Sequence, residues 1–164
     1  MNKLICCFTI FLLSCNRIIP IRGTYPNAAA TAIINRPQQE LWDKMLDLIV
    51  EPGLPVKMID HTSGLIVSDY ITMTAEASFE RKNGEPIDPN AYIAMERYSQ
   101  DYPDESSKLE VKAMWNLRLT KLTDSTTKVQ TKLYHVLIGQ GILQGTSTGV
   151  FEKTLIEVLM NEKP

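Results

Sequence analysis

The sequence predicts an α+β fold: an antiparallel sheet packed in two layers against helices, with the last helix at the C-terminal end. Three observations predict it. Apolar residues recur at helical spacing after Pro37 and again after Gly149, whereas the stretches between carry period-two alternation broken by turn residues. No strand alternates with a helix in βαβ fashion, so the helices are expected on one side of an antiparallel sheet. The expected order is β-α-β-β-β-β-β-α.

The first fourteen residues stand apart from this domain. Met1-Asn2-Lys3 is a short basic start, and residues 4–13 form an uncharged run containing Ile5, Phe8, Ile10, Phe11 and Leu12. That is the layout of a secretory signal peptide. At about 1.5 Å per residue the run covers roughly half of a 30 Å hydrocarbon core, too little for a spanning helix. Leu12-Leu13-Ser14-Cys15 resembles the lipobox of bacterial lipoproteins. The resemblance implies that the Cys15 thiol takes a diacylglycerol, gains chains such as palmitate, and becomes the first residue of a lipid-anchored chain. The chemistry needs a cysteine, because a thiolate is nucleophilic enough to be alkylated under mild conditions. Several acyl chains, at about 0.8 kcal/mol per buried CH₂, then hold the chain on a bilayer. Asn16 stands where an inner-membrane retention aspartate would be, and residues 16–22 carry Arg17 and Arg22 but no acid cluster for export to the surface. The address implied is the outer membrane, on its periplasmic face.

Residues 15–29 read as the lipidated cysteine and a tether, with Pro20, Gly23, Pro26 and Asn27 ahead of small alanines. A single domain then fills residues 30–164. Thr31-Ala32-Ile33-Ile34 opens it in strand style, and Pro37 suits the first position of a helix, where its missing N–H is not needed. Leu41, Trp42, Met45, Leu46, Leu48 and Ile49 form the apolar face of that helix, which Pro52-Gly53 ends. Residues 56–60 and 65–73 read as two strands joined around Gly64. From 74 to 91 the periodicity fades into turn residues, a short strand is expected over 92–98, and 100–107 is a polar loop.

Periodicity returns over residues 109–122, where Val111, Ala113, Trp115, Leu117 and Leu119 share one parity. Thr123-Asp124-Ser125 makes a turn, and Val129, Thr131 and Leu133 continue the inward face over 127–137. Gly139, Gly141, Gly145 and Gly149 connect this pair to the last helix, whose apolar residues are Val150, Phe151, Leu155, Val158 and Leu159. Trp42 and Trp115 are expected in the core.

Removing residues 1–14 from 164 leaves 150 residues, with 16 Lys and Arg against 19 Asp and Glu. A chain of that size buries about 68–70% of its unfolded surface and folds without staples. Cys6 and Cys7 leave with the signal and Cys15 is consumed by lipid, so no thiol remains for catalysis, redox work or zinc. The balanced charge, with no basic stripe, excludes nucleic acid as a partner. The expected partners are the lipid bilayer, through Cys15, and an envelope or outer-membrane protein.

Taken together, the helix around Glu40-Leu41-Trp42, the Gly53-Leu54-Pro55-Val56-Lys57-Met58-Ile59-Asp60 and Ser63-Gly64-Leu65-Ile66-Val67-Ser68-Asp69-Tyr70 phrases, Trp115-Asn116-Leu117-Arg118-Leu119 and Gly149-Val150-Phe151-Glu152 resemble a BamC-type lipoprotein domain. That resemblance, over residues 31–160, implies a helix-grip fold: a curved antiparallel sheet wrapped on its C-terminal helix. It also implies a non-enzymatic accessory of outer-membrane β-barrel assembly, without cofactor or metal. The chain has one such domain and a short tether, where the type protein has two domains and a long extended segment.

Several residue groups resemble sites by residue type or spacing. Gly145-Thr146-Ser147-Thr148-Gly149 spells G-x-S-x-G, but the histidine of a hydrolase should follow the serine, and His61 and His135 both precede it. Ser147 or Thr148 is expected to cap the last helix instead. Asp60, His61 and Asp69 around the first hairpin read as solvated turn residues, and His135 as a structural histidine in a strand. Gly139-Gln140-Gly141 lacks the lysine of a phosphate loop and reads as a turn. No catalytic residue is expected. Two functions follow: an accessory that binds an envelope protein by a groove or sheet edge, or a periplasmic carrier that binds a small molecule or lipid in a sheet-helix cavity, which for an apolar ligand of drug size needs at least about 300 Å³.

Overall fold

The structure is a computed structural model that describes residues 18–98, 109–139 and 141–161. Its order is β1 (Ile18–Ile19), β2 (Ala30–Ile34), α1 (Gln38–Val50), β3 (Val56–Asp60), β4 (Leu65–Ser68), β5 (Ile71–Thr72), β6 (Ala77–Phe79), β7 (Ile93–Met95), β8 (Arg97–Tyr98), β9 (Val111–Thr123), β10 (Thr126–Ile138), β11 (Gly145–Ser147) and α2 (Val150–Met160). The α+β class expected from the sequence is what forms. The strands exceed the expected number because β1, β5, β6, β8 and β11 are two or three residues long, too short to show a period.

The main sheet has the order β2-β10-β9-β4-β3, with β5 also on β9, and all its pairs are antiparallel. Its spine is the hairpin of β9 and β10, in which Leu133 faces Trp115 and Val129 faces Leu119. The predicted parity holds: Val111, Ala113, Trp115, Leu117 and Leu119 on β9 and Val129, Thr131 and Leu133 on β10 are all buried. The register shifts between Tyr134 and Leu137. A bulge of this kind bends the strand and increases its twist. In β4, Ile66 and Ser68 point inward and are buried.

Helix α1 presents Leu41, Trp42, Met45 and Ile49 to the sheet, as its spacing predicts. Pro37 stands one residue earlier than expected, at the N-cap, and its carbonyl accepts the Leu41 N–H. At the other end the Leu54 N–H reaches the Ile49 carbonyl and the Gly53 N–H the Val50 carbonyl, with Gly53 at φ +68°. That is a Schellman closure, which needs a left-handed residue and finds a glycine. Helix α2 lies beside α1, and Arg36 and Lys44 donate to the carbonyls of Met160 and Asn161 at its C-terminal end. Cations there suit the negative end of the helix dipole.

Both helices cover one half of the β9–β10 face. The other half is covered by a second, three-stranded sheet, β11-β7-β6, in which β6 and β7 run parallel. Phe79, Ile93, Met95, Val111, Leu133 and Ile138 form the core between the two sheets.

The stretch read as a tether lies, from Ile18 on, against this second sheet. β1 pairs with β8, and the N–H groups of Arg22 and Gly23 donate to the Glu80 carboxylate at 2.7 and 3.0 Å. The Tyr25 hydroxyl donates to the same carboxylate at 2.8 Å. No helix among the described residues is long and apolar enough to cross a membrane.

Candidate functional site

The apolar residues of α2 divide between two tasks. Ile156 and Leu159 are buried, whereas Phe151, Leu155 and Val158 edge a cleft with Met45 and Leu48 of α1. Trp115 of β9 forms the floor. The cleft has a volume of about 200 Å³, and Tyr92 and Thr154 complete its almost wholly apolar lining. The Phe151 ring meets Tyr92 edge-on at 5.6 Å and Trp115 at 6.3 Å, so three aromatic rings hold one wall in place.

Helix α2 is positioned by a charged residue that shares its buried face with Ile156 and Leu159. Glu152 is buried, its Oε1 accepting the Leu133 N–H at 2.8 Å and its Oε2 the Ser147 hydroxyl at 2.8 Å. β2 accompanies β10 only from Thr127 to Thr131, so the Leu133 amide lies beyond the Ala30 end of β2. A buried carboxylate is tolerable only when such donors satisfy it.

The same contacts fix the Ser147 side chain. Its hydroxyl is held by Glu152 and accepts the Gly149 N–H at 3.1 Å, with no histidine beside it. The expected cap is corrected in one respect: Gly149, at φ +89°, is the N-cap, and no side chain caps the helix. Thr148 accepts the Val150 N–H at 3.3 Å and donates to the Ala91 carbonyl at 2.5 Å, tying the helix start to the small sheet.

The other candidates do not converge. Asp60 accepts the Thr62 N–H and both the N–H and hydroxyl of Ser63, closing its own turn. The Ser63 hydrogen bonds, chiefly that from its hydroxyl, hold the Asp60 carboxyl below its usual value. Asp69 accepts the N–H of Tyr70, and His61 stands edge-on to Trp42 with Nε2 3.1 Å from Gln39 Oε1. No cluster among the described residues could hold a metal ion. His135 is exposed at φ +49° on the β10 bulge, its ring against Tyr134, and so is no core histidine. Gly141 donates its N–H to Ile138 in a turn, and Gly139 donates to Glu110, while Gln140 lies outside the described residues. Cys15, the expected lipidation site, also lies outside them.

No family model matches the chain, and no curated protein does. Among solved structures it is similar to the di-domain aromatase/cyclase BexL at 14% identity and a TM-score of 0.29, covering 81% of this chain and 44% of that one. It is also similar to the Zhui aromatase/cyclase from a Streptomyces species at 14% identity and a TM-score of 0.25, covering 87% and 83%. The chain thus spans less than half of the first of these proteins. The expectation that it is no enzyme is corrected here, since both structures are named as enzymes. The physical reason is that an apolar cleft leaves no motif in a sequence, so the lack of one excludes no activity. At these TM-scores the likeness assigns no reaction to this chain.

Proposed function

We propose that the chain is a lipid-anchored envelope protein that works through the cleft between α1 and α2, taking apolar side chains of a partner protein there. In this reading Cys15 carries the acyl chains, residues 1–14 are removed, and the domain stands at the periplasmic face of the outer membrane. The finer architecture is a helix-grip of the BamC type, with the sheet curved around α2, and the partner is a component or client of outer-membrane protein assembly.

The observation that carries the reading is the size and lining of the cleft. At about 200 Å³ it falls short of the roughly 300 Å³ that a drug-sized apolar ligand needs, which counts against the carrier. One or two side chains from a docked segment suit it better, and Val158 at its rim is 36% exposed and in reach of a partner. A photoreactive phenylalanine analogue in place of Val158, activated in whole cells, should give an adduct with an envelope protein. Adducts with small molecules only, or protein capture no greater than with the same probe at the remote Leu122, would overturn the reading.

A further inference from the structure

We propose that a second cavity, walled by Arg22, Arg81, Lys82 and Arg97, binds the phosphate of an anionic lipid headgroup in the membrane that anchors the chain. The cavity encloses about 210 Å³ between the N-terminal arm, the turn after β6 and the β7–β8 segment. Four cationic side chains line it against one carboxylate, that of Glu80. That carboxylate is already engaged by the Arg22 and Gly23 N–H groups and the Tyr25 hydroxyl. Among the described residues Arg22, Lys82 and Arg97 have no carboxylate in ion-pair range. Arg97 lies over the Phe79 ring at 6.0 Å, and Arg81 gives one N–H to the Ile87 carbonyl at 2.9 Å with Glu85 4.0 Å away. An anion relieves the repulsion of four cations gathered around one space, and guanidinium forks match the oxygens of a phosphate.

The position of the cavity selects the source of the phosphate, on the reading above that Cys15 is acylated. Ile18 and Ile19 pair with Tyr98 and Arg97, which fixes the arm to the cavity wall. Cys15 precedes Ile18 by three residues, a span of at most about 11 Å at full extension. Acyl chains on Cys15 therefore enter the bilayer beside β1, and the cavity comes within reach of the headgroups. Basic residues at such a surface strengthen association by about fivefold each with anionic lipid.

The test uses the full lipidated chain, its acyl groups verified by intact mass, in vesicles of phosphatidylcholine alone or doped with phosphatidylglycerol. Acylation of lysines by a water-soluble ester is read by peptide mass spectrometry. Lys82 should react about fivefold more slowly in the anionic vesicles, with Lys121 and Lys153, which line no part of the cavity, as the baseline. Arg97→Gln, and separately Arg22→Gln at an exposed position, should return Lys82 to that baseline. Equal slowing of all three lysines, no slowing, or slowing that survives in both variants would overturn the proposal. Inorganic phosphate given to the chain in neutral detergent is the last arm. Full protection of Lys82 by it would overturn the lipid source in favour of a soluble phosphate. A mass without acyl groups would instead overturn the anchoring, which is distinguishable from an empty cavity because the phosphate arm still reads the site.

Discussion

Glu152 shows at the scale of one residue what the sequence conceals. Nothing in its identity separates it from Lys153 and Glu157, which are exposed on the same helix. Its spacing from Ile156 and Leu159 puts it on the buried face, but the donor that makes a carboxylate tolerable there, the Leu133 amide beyond the end of β2, is a fact of tertiary pairing. The Glu152→Ala variant should leave that amide and the Ser147 hydroxyl without a partner, at about 1–3 kcal/mol for each buried group. Ser147→Ala removes the hydrogen bonds to Glu152 and from the Gly149 N–H but keeps that between Glu152 and the Leu133 amide, and should cost less, about 1 kcal/mol for each bond removed. Urea denaturation of both variants checks the order, and a larger loss in Ser147→Ala would contradict it. Tyr25 gives a pH dependence of known sign. Burial first, then the hydrogen bond and charge of Glu80, push its phenol up from the ordinary value of 10.0. A folded-state value above the unfolded one means stability that is fully present below pH 10.0 and lost as the pH rises beyond it. Thermal melts above pH 10.0 should therefore fall with pH, and Tyr25→Phe should flatten that slope.

At the scale of elements, legibility followed length. β9 and β10, thirteen residues each, repeat their period often enough to fix both parity and partner, and α1 repeats its own over thirteen residues. The second sheet is built of strands of three residues, and its parallel β6–β7 pair is joined through the irregular stretch of residues 80–92, so no repeat announces it. The arm was hidden for the same reason: β1 has two residues, and Gly23 and Pro26 read as tether chemistry although Glu80 accepts the Gly23 N–H and Pro26 lies close against Gly149. Glycine was the better guide where a turn needed it. Gly64 sits at φ +67°, and a Cβ there would meet the Leu119 carbonyl oxygen at 2.1 Å; the Gly64 carbonyl in turn accepts the Leu119 N–H. Gly64→Ala should therefore add a clash between β4 and β9 to the roughly 1–2 kcal/mol of a left-handed residue. Gly53→Ala, at φ +68° with nothing within 4 Å of the new carbon, should show the backbone cost only. Calorimetric melts of the two variants should thus differ, with Gly64→Ala the lower, and equal melts would mean that β4 can shift from β9 without cost.

The whole molecule is two cores on one hairpin. The helices press Leu41, Trp42, Met45 and Leu159 onto one half of the β9–β10 face, and the small sheet presses Phe79, Ile93 and Met95 onto the other. Leu133, in the second core, pairs directly across the hairpin with Trp115, in the first. Ile71 and Phe151 touch both cores, and Thr148 and Glu152 tie α2 to the small sheet and to β10. Such sharing predicts one cooperative unit and not two that melt apart. Trp115→Ala removes a side chain of 2% exposure and should cost about 3–5 kcal/mol, a large part of the 5–15 kcal/mol of an ordinary domain. If the cores are one unit, amide exchange in β7, on the far side of the hairpin, should quicken by the same factor as exchange in α1, which packs on Trp115 directly. Quickening confined to α1 and α2 would show that the small sheet with its docked arm holds its structure independently. The arm would then keep its position when the helices open, and the cleft could gape for a partner while the anchored end stayed fixed.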